Sequence, residues 1–192
     1  MTAPIDDALR VELRDKLRQL LQRERDVHTL LREVATANRW VASAAQLAAT
    51  IAGFQEELGA LGALADAFAE ELGYEYAVAQ WGPHRAERPA IAEPALAAAI
   101  AHALAAPCPD GYARELHDDG PVRELVRFVI GSARDPADTV RVVVVRTART
   151  APYFTTPDDT GRERTRQLAA LLAQSFDAVR LRRDLVGERD AL

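Results

Sequence analysis

The chain is poor in several residue types, and each shortage excludes something. There is a single cysteine, Cys108, so neither an internal disulfide nor a cysteine-based zinc site is available. Lysine occurs once, at Lys16, and every other basic residue is arginine, which reads as the base-composition bias of a GC-rich source and not as phosphate recognition. Aromatic residues make up 6% of the 192 residues. Much of the 48% hydrophobic content is alanine, which favours helix and buries little area per residue, so a helix-rich protein with one modest core is expected. No apolar run approaches the roughly 20 residues of a membrane-spanning helix. The opening MTAPIDDALRVELRDK carries no signal-peptide core. These shortages predict a cytoplasmic protein without a membrane partner.

Positive charge is scarce where a nucleic-acid binder would need it. Residues 1–40 carry eight basic and seven acidic residues and residues 161–192 carry seven and five, while residues 41–160 carry nine against seventeen. The centre is strongly acidic, the opposite of the basic stripe that phosphate recognition requires, so no nucleic-acid partner is expected. Catalytic signatures are missing as well. Gly131-Ser132 lacks the nucleophile elbow, and no P-loop or dinucleotide-binding glycine pattern appears. His28, in ERDVHTLLREV, lacks the sequence surroundings of a phospho-accepting histidine. No catalytic residue, resident metal or cofactor is assigned, and an enzyme is not expected.

What is present is periodicity. From about Ile5 to Ile51 the chain has no glycine or proline, and a seam recurs at alternating spacings of three and four. Its members are Leu13, Leu17, Leu20, Glu24, Val27, Leu31, Val34, Asn38 and Val41. This heptad pattern over about four heptads predicts a coiled coil, with Leu13, Leu17, Leu20, Val27, Leu31, Val34 and Asn38 forming a homodimer interface. The polar Glu24 and Asn38 would set register at some cost in stability. A second helix is expected between Gly53 and Gly73. Tyr74–Trp81 then alternates as a strand, with Tyr76, Val78 and Gln80 on one face and Ala77, Ala79 and Trp81 on the other. GPHRAERP reads as a turn, and residues 90–92 as a short strand. Pro94 opens a helix that ends before Pro107, and residues 107–121 read as an irregular connection. RELVRFVIGS (123–132) and VRVVVVRT (140–147) are strands, the latter central and covered on both faces. A last helix runs from Pro157-Asp158 to about Asp190.

The expected fold class is α+β, a small antiparallel sheet flanked by helices, with long N- and C-terminal helices. The expected domains are an N-terminal helix over 1–52, an α+β domain over 53–160, and a C-terminal helix over 161–192 that packs on the domain and extends from it.

Two stretches carry a family resemblance. LGALADAFAEELGYEYAVAQW resembles the opening helix and first strand of GAF domains, the sensor modules of signalling proteins. VRVVVVRTARTAPYFTTPDDTGRERTRQLAALLAQSFDAVRLRRDL resembles their last strand, connection and closing helix, which in the family continues outward as a coiled-coil signalling helix. The resemblance covers roughly residues 55–185. It implies a non-enzymatic sensory or regulatory domain of cytoplasmic signal transduction that dimerises through its terminal helices. The implied partners are a second copy of the chain and, beyond it, a small molecule or a signalling protein. The segments before the middle helix and over 107–121, where the family builds its pocket, are short. The alternative is a structural adaptor or protein-interaction module with a degenerate pocket. The Asn-Lys-Phe-Asp motif of cyclic-nucleotide binders has no equivalent here. Cys108 is followed by proline rather than by the histidine common in bilin-binding members, and one cysteine cannot serve a methionine sulfoxide reductase mechanism.

Candidate ligand-binding residues are Tyr76, Trp81, His102, Tyr112, His117 and Arg127. Trp81 and Tyr112 offer stacking surfaces. Arg127, in the middle of a strand, must be ion-paired or face an anion. His102 lies on the alanine-rich helix. His117 belongs to His-Asp-Asp, which reads as a solvated turn before Gly120-Pro121 and, less simply, as part of a metal site with Cys108 or His84.

Overall fold

The computed structural model describes residues 7–70, 72–132, 135, 137–149 and 158–190. Four helices and five strands are ordered as α1 (Asp7–Gly53), α2 (Glu57–Glu70), β1 (Tyr76–Trp81), β2 (His84–Arg88), α3 (Pro94–Ala105), β3 (Tyr112–Leu116), β4 (Val122–Ile130), β5 (Val140–Thr147) and α4 (Asp158–Asp190). The chain divides into two compact units, Met1–Ser43 and Ala44–Leu192.

In the first unit the described residues form one helix with its seam open. Leu13, Leu17, Leu20, Val27, Leu31 and Val34 are each more than half exposed, and Asn38 is exposed with them. The flanks carry helical ion pairs such as Lys16–Glu12 at 2.7 Å, which stabilise the helix only by tenths of a kcal/mol.

The second unit is built on an antiparallel sheet of order β2-β1-β5-β4-β3. VRVVVVRT occupies the centre, because a β-branched run without alternation suits a strand buried on both faces. Val140, Val142, Val143, Val144 and Val145 are all buried. Strand β5 pairs with β1 through Val78↔Val143 and with β4 through Arg127↔Val143, which fixes the faces of the sheet. One face, with Ala79, Trp81, Val126, Phe128 and Val142, packs under α2 and α4. The other, with Val78, Leu125, Val143 and Val145, packs under Leu96, Ile100, Ala103 and Leu104 of α3.

Two strands lie where the sequence reads as turn or loop. The expected strand at 90–92 is instead β2 at His84–Arg88, joined to β1 by a two-residue turn that pairs Trp81 with His84. Gly82 has φ +55° and Pro83 cannot, which is the pattern of a type II′ hairpin turn. The connection 107–121 contains β3, which pairs with β4 through Tyr112↔Phe128 and Glu115↔Leu125. Both are edge strands, HRAER and YAREL, and their charge suits an edge that must not recruit another chain. Their stability comes from pairing to a neighbour rather than from apolar content, so hydrophobic periodicity does not reveal them.

Helix α4 is latched to the sheet by aromatic and ionic contacts together. Phe176 meets Trp81 edge-on at 5.4 Å between centroids. Arg180 is buried and donates to Asp138 at 2.6 Å and to Asp177 at 2.7 Å while stacking over Trp81. The Trp81 indole N–H closes the group by donating to Asp138 at 2.5 Å. Further along, Arg182 donates to the carbonyls of Ala52 and Phe54, satisfying acceptors that the end of α1 leaves open. Glu57, in the first turn of α2, takes Arg183 from α4 at 2.6 Å and His84 from β2 at 3.0 Å. A buried carboxylate, Glu124, is held by Arg146 at 2.6 Å and Arg114 at 2.7 Å.

Removing one partner of a buried ion group leaves its carboxylates uncompensated. Arg180→Ala is therefore expected to lower the stability of the folded chain by about 3 kcal/mol in urea denaturation. A loss within about 0.5 kcal/mol, as for an ordinary surface substitution, would show that α4 does not depend on this latch.

Candidate functional site

The two faces of the sheet differ in what they leave open. The α2/α4 face is packed by large side chains: Phe68 lies 5.3 Å from Phe128 between ring centroids, and Leu172, Phe176 and Val179 are fully buried. The α3 face is covered by one helix whose other residues are mainly alanine. Alanine fills little volume, and space remains beside the helix.

Two cavities lie there. The first, of about 340 Å³, lies between the C-terminal end of α3 and strands β4 and β5, and is lined by Leu104, Cys108, Arg127, Val129, Thr139 and Arg141 among others. The second, of about 300 Å³, lies between α3 and the β3–β4 hairpin and includes His102, Glu115, His117, Asp119 and Leu125. Arg127 and Glu115 join the two, with the guanidinium 3.0 Å from the carboxylate. They are diagonal neighbours, since Glu115 pairs with Leu125 and Arg127 stands two residues further along the same face. The Nε of Arg127 is buried and has no hydrogen-bond partner among the described residues. Arg141 donates to the Leu104 carbonyl at 3.0 Å, satisfying an acceptor at the C-terminal end of α3.

The six sequence-selected residues divide by face. Tyr76 packs at the edge of the α3 core. His102 and His117 line the second cavity, and Arg127 lines the first. Trp81 and Tyr112 belong to the opposite face. Trp81 is engaged by Asp138, Arg180 and Phe176 as described. Tyr112 stands opposite Phe128 in the β3–β4 pairing and borders a separate hollow of about 310 Å³ with Asp110, Arg162 and Arg166. Cys108 sits 3.9 Å from the Arg127 carbonyl and His84 pairs with Glu57, so neither joins His117. Among the described residues no three His, Cys, Asp or Glu side chains are grouped to hold a metal ion. No described helix is long and apolar enough to cross a membrane.

Glu115, Thr139 and Arg141 were not singled out from the sequence. Arg141 had a signal: a charged residue at the start of a valine run is costly unless its head reaches a partner or a cavity. Glu115 lies on β3, whose register to Arg127 hydrophobic periodicity does not reveal.

An antiparallel five-stranded sheet with α2 and α4 on one face and α3 on the other defines a small α+β sandwich. No protein-family model matches the chain, and no curated protein matches it. Among solved structures it is similar to the GAF domain of a protein described as a sensor histidine kinase from Pseudomonas syringae pv. tomato. The superposition has a TM-score of 0.61 at 13% identity and covers 82% of this chain and 97% of the other. The chain has the fold of GAF domains, as the resemblance implied.

Cys108 reports on the first cavity. Burial pushes its thiol up from the ordinary value, and the Arg127 charge only partly opposes this. A raised thiol pKa leaves less thiolate at any given pH, and the thiolate is the reactive form. Alkylation of the folded chain by iodoacetamide is expected to be slower than in urea, with its rate curve displaced to higher pH. Equal rates in both states would contradict the burial of this thiol.

Proposed function

We propose that the chain is a non-enzymatic sensory or regulatory domain of cytoplasmic signal transduction that works as a homodimer. The GAF fold supports the regulatory reading. The observation that carries the dimer is the open seam of α1, where six large apolar side chains at heptad spacing are more than half exposed. A second copy of the same helix covers such a stripe by inserting each seam residue between residues of its partner. Asn38 on the seam specifies register.

Input would enter on the α3 face and output would leave through the terminal helices. A ligand shifts such a domain only by binding two helix arrangements with different affinity. The alternative is an adaptor that recruits a protein through its helices and binds no small molecule. The cavity sizes favour that reading to a degree, because about 340 and 300 Å³ lie at the lower end of the range for ligand sites. Stabilisation by a small molecule separates the two readings.

Multi-angle light scattering of the purified chain at tens of micromolar should report a dimer. The double variant Leu20→Asp, Val27→Asp should be monomeric while keeping the circular dichroism and thermal transition of the α+β unit. A monomeric wild-type chain would overturn the proposal.

A further inference from the structure

We infer that the hollow between the start of β3 and the first turns of α4 binds an α-amino acid, with Arg162 and Arg166 taking its carboxylate and Asp110 its ammonium. The hollow has a volume of about 310 Å³ and is lined by Asp110, Tyr112, Arg162 and Arg166. It lies on the α2/α4 face, away from the cavities beside α3, and it does not depend on the dimer. Arg162 and Arg166 stand one turn apart on α4, a like-charge spacing that weakens a helix unless an anion lies between them. Arg162 lies over the ring of the buried Tyr112, 5.7 Å from its centroid, which holds the guanidinium beside the hollow. Asp110 is placed by the backbone around it. The Gly111 N–H donates to the Cys108 carbonyl at 3.0 Å, and the Gly111 carbonyl accepts from the Val129 N–H at 3.0 Å.

The three charged side chains are exposed, and among the described residues none of them has an ion-pair partner. Arg146, Arg180 and Arg183, by contrast, each hold a carboxylate at 2.6 Å. Glu163, next to Arg162, accepts from Gln167 at 2.8 Å, and Arg114, two residues beyond Tyr112, is held by Glu124. One acid and two bases thus share a hollow without closing on each other, and the ligand that answers both is dipolar. Its carboxylate accepts charge-assisted bonds from the guanidinium forks, and the ammonium beside it donates to Asp110. A simple acid or inorganic phosphate satisfies the arginines but sets a like charge against Asp110. Two arginines against one aspartate leave a net positive charge, which favours an acidic amino acid over a basic one. The volume of about 310 Å³ equals about ten water molecules, room for a molecule of this size. The ion groups of Arg180 and Arg183 hold α4 in its later turns, and a ligand bridging its first turns to Asp110 adds a tie at the other end.

The full chain is screened by thermal shift against each of the standard amino acids. The tightest binder is then measured by isothermal calorimetry beside its amide, which lacks the carboxylate, its des-amino acid, which lacks the ammonium, and inorganic phosphate. Saturable binding at least about tenfold tighter than that of either analogue is expected, with glutamate and aspartate ahead of lysine and arginine. Arg162→Met and Arg166→Met should each weaken the amino acid and the des-amino acid alike. Asp110→Asn should weaken the amino acid alone and bring it level with the des-amino acid, a change of preference that a purely structural role would not produce. The three side chains are exposed, so circular dichroism of the variants should match the wild-type chain. No binding of any amino acid, equal binding of the des-amino acid by the wild-type chain, tighter binding of phosphate, or binding that survives both arginine variants would each overturn the inference. Light scattering on the same samples keeps the two claims apart. A dimer that binds no amino acid overturns this site alone, and a monomer overturns the dimer alone.

Discussion

The structure depends on burying β5 from both sides. Five of its eight residues are valines with almost no exposure, and a strand of this kind has no stable place except between two neighbours and beneath two helix layers. Once it is central, β1 and β4 must flank it, α2 and α4 must cover one face, and α3 the other. The charged edge strands β2 and β3 complete the sheet and blunt its borders. Each later feature inherits this division into two faces.

The division separates support from opening. On the α2/α4 face, Phe176 against Trp81 and Arg180 on Asp138 fix α4, while the buried Glu124 group ties β3, β4 and β5 to one another. Such groups add little net stability compared with an apolar replacement, but they specify one arrangement because any slip strands a buried charge. The α3 face has fewer constraints. Leu96, Ile100 and Leu104 anchor the helix in the core, and Arg141 provides a described polar tie at its end. A helix held in this way is the part of the domain suited to respond, because regions that move on binding come from the weakly held end of the stability range.

How much of this was legible in the sequence follows from where the stabilising energy lies. The heptad of α1, the valine run of β5 and the alternation in β1 are local patterns, and each element appears where its pattern predicts. Strands β2 and β3 owe their existence to partners remote in sequence. Even so, Asp119-Gly120, with Gly120 at φ +92°, is a hairpin signal between YAREL and β4 as well as the solvated turn it reads as. The candidate site suffered in turn. Arg127 was recognisable as an inward charge needing a partner, but the partner, Glu115, sits on the unrecognised strand. Trp81 and Tyr112 read as pocket walls because aromatic residues suit that role, yet strand alternation places them on the opposite face from Arg127. The alternation of β1 already held the information for Trp81, since Tyr76 and Trp81 differ in parity.

The central claim is that the sheet carries one fixed face and one responsive face. Native-state hydrogen exchange of the unliganded chain, resolved by residue, tests it most directly. The amides of β5 and of α4 around Phe176 and Arg180 should exchange only through global unfolding, while those of α3 exchange through a local opening of clearly lower free energy. Protection of α3 equal to that of β5 would contradict the account.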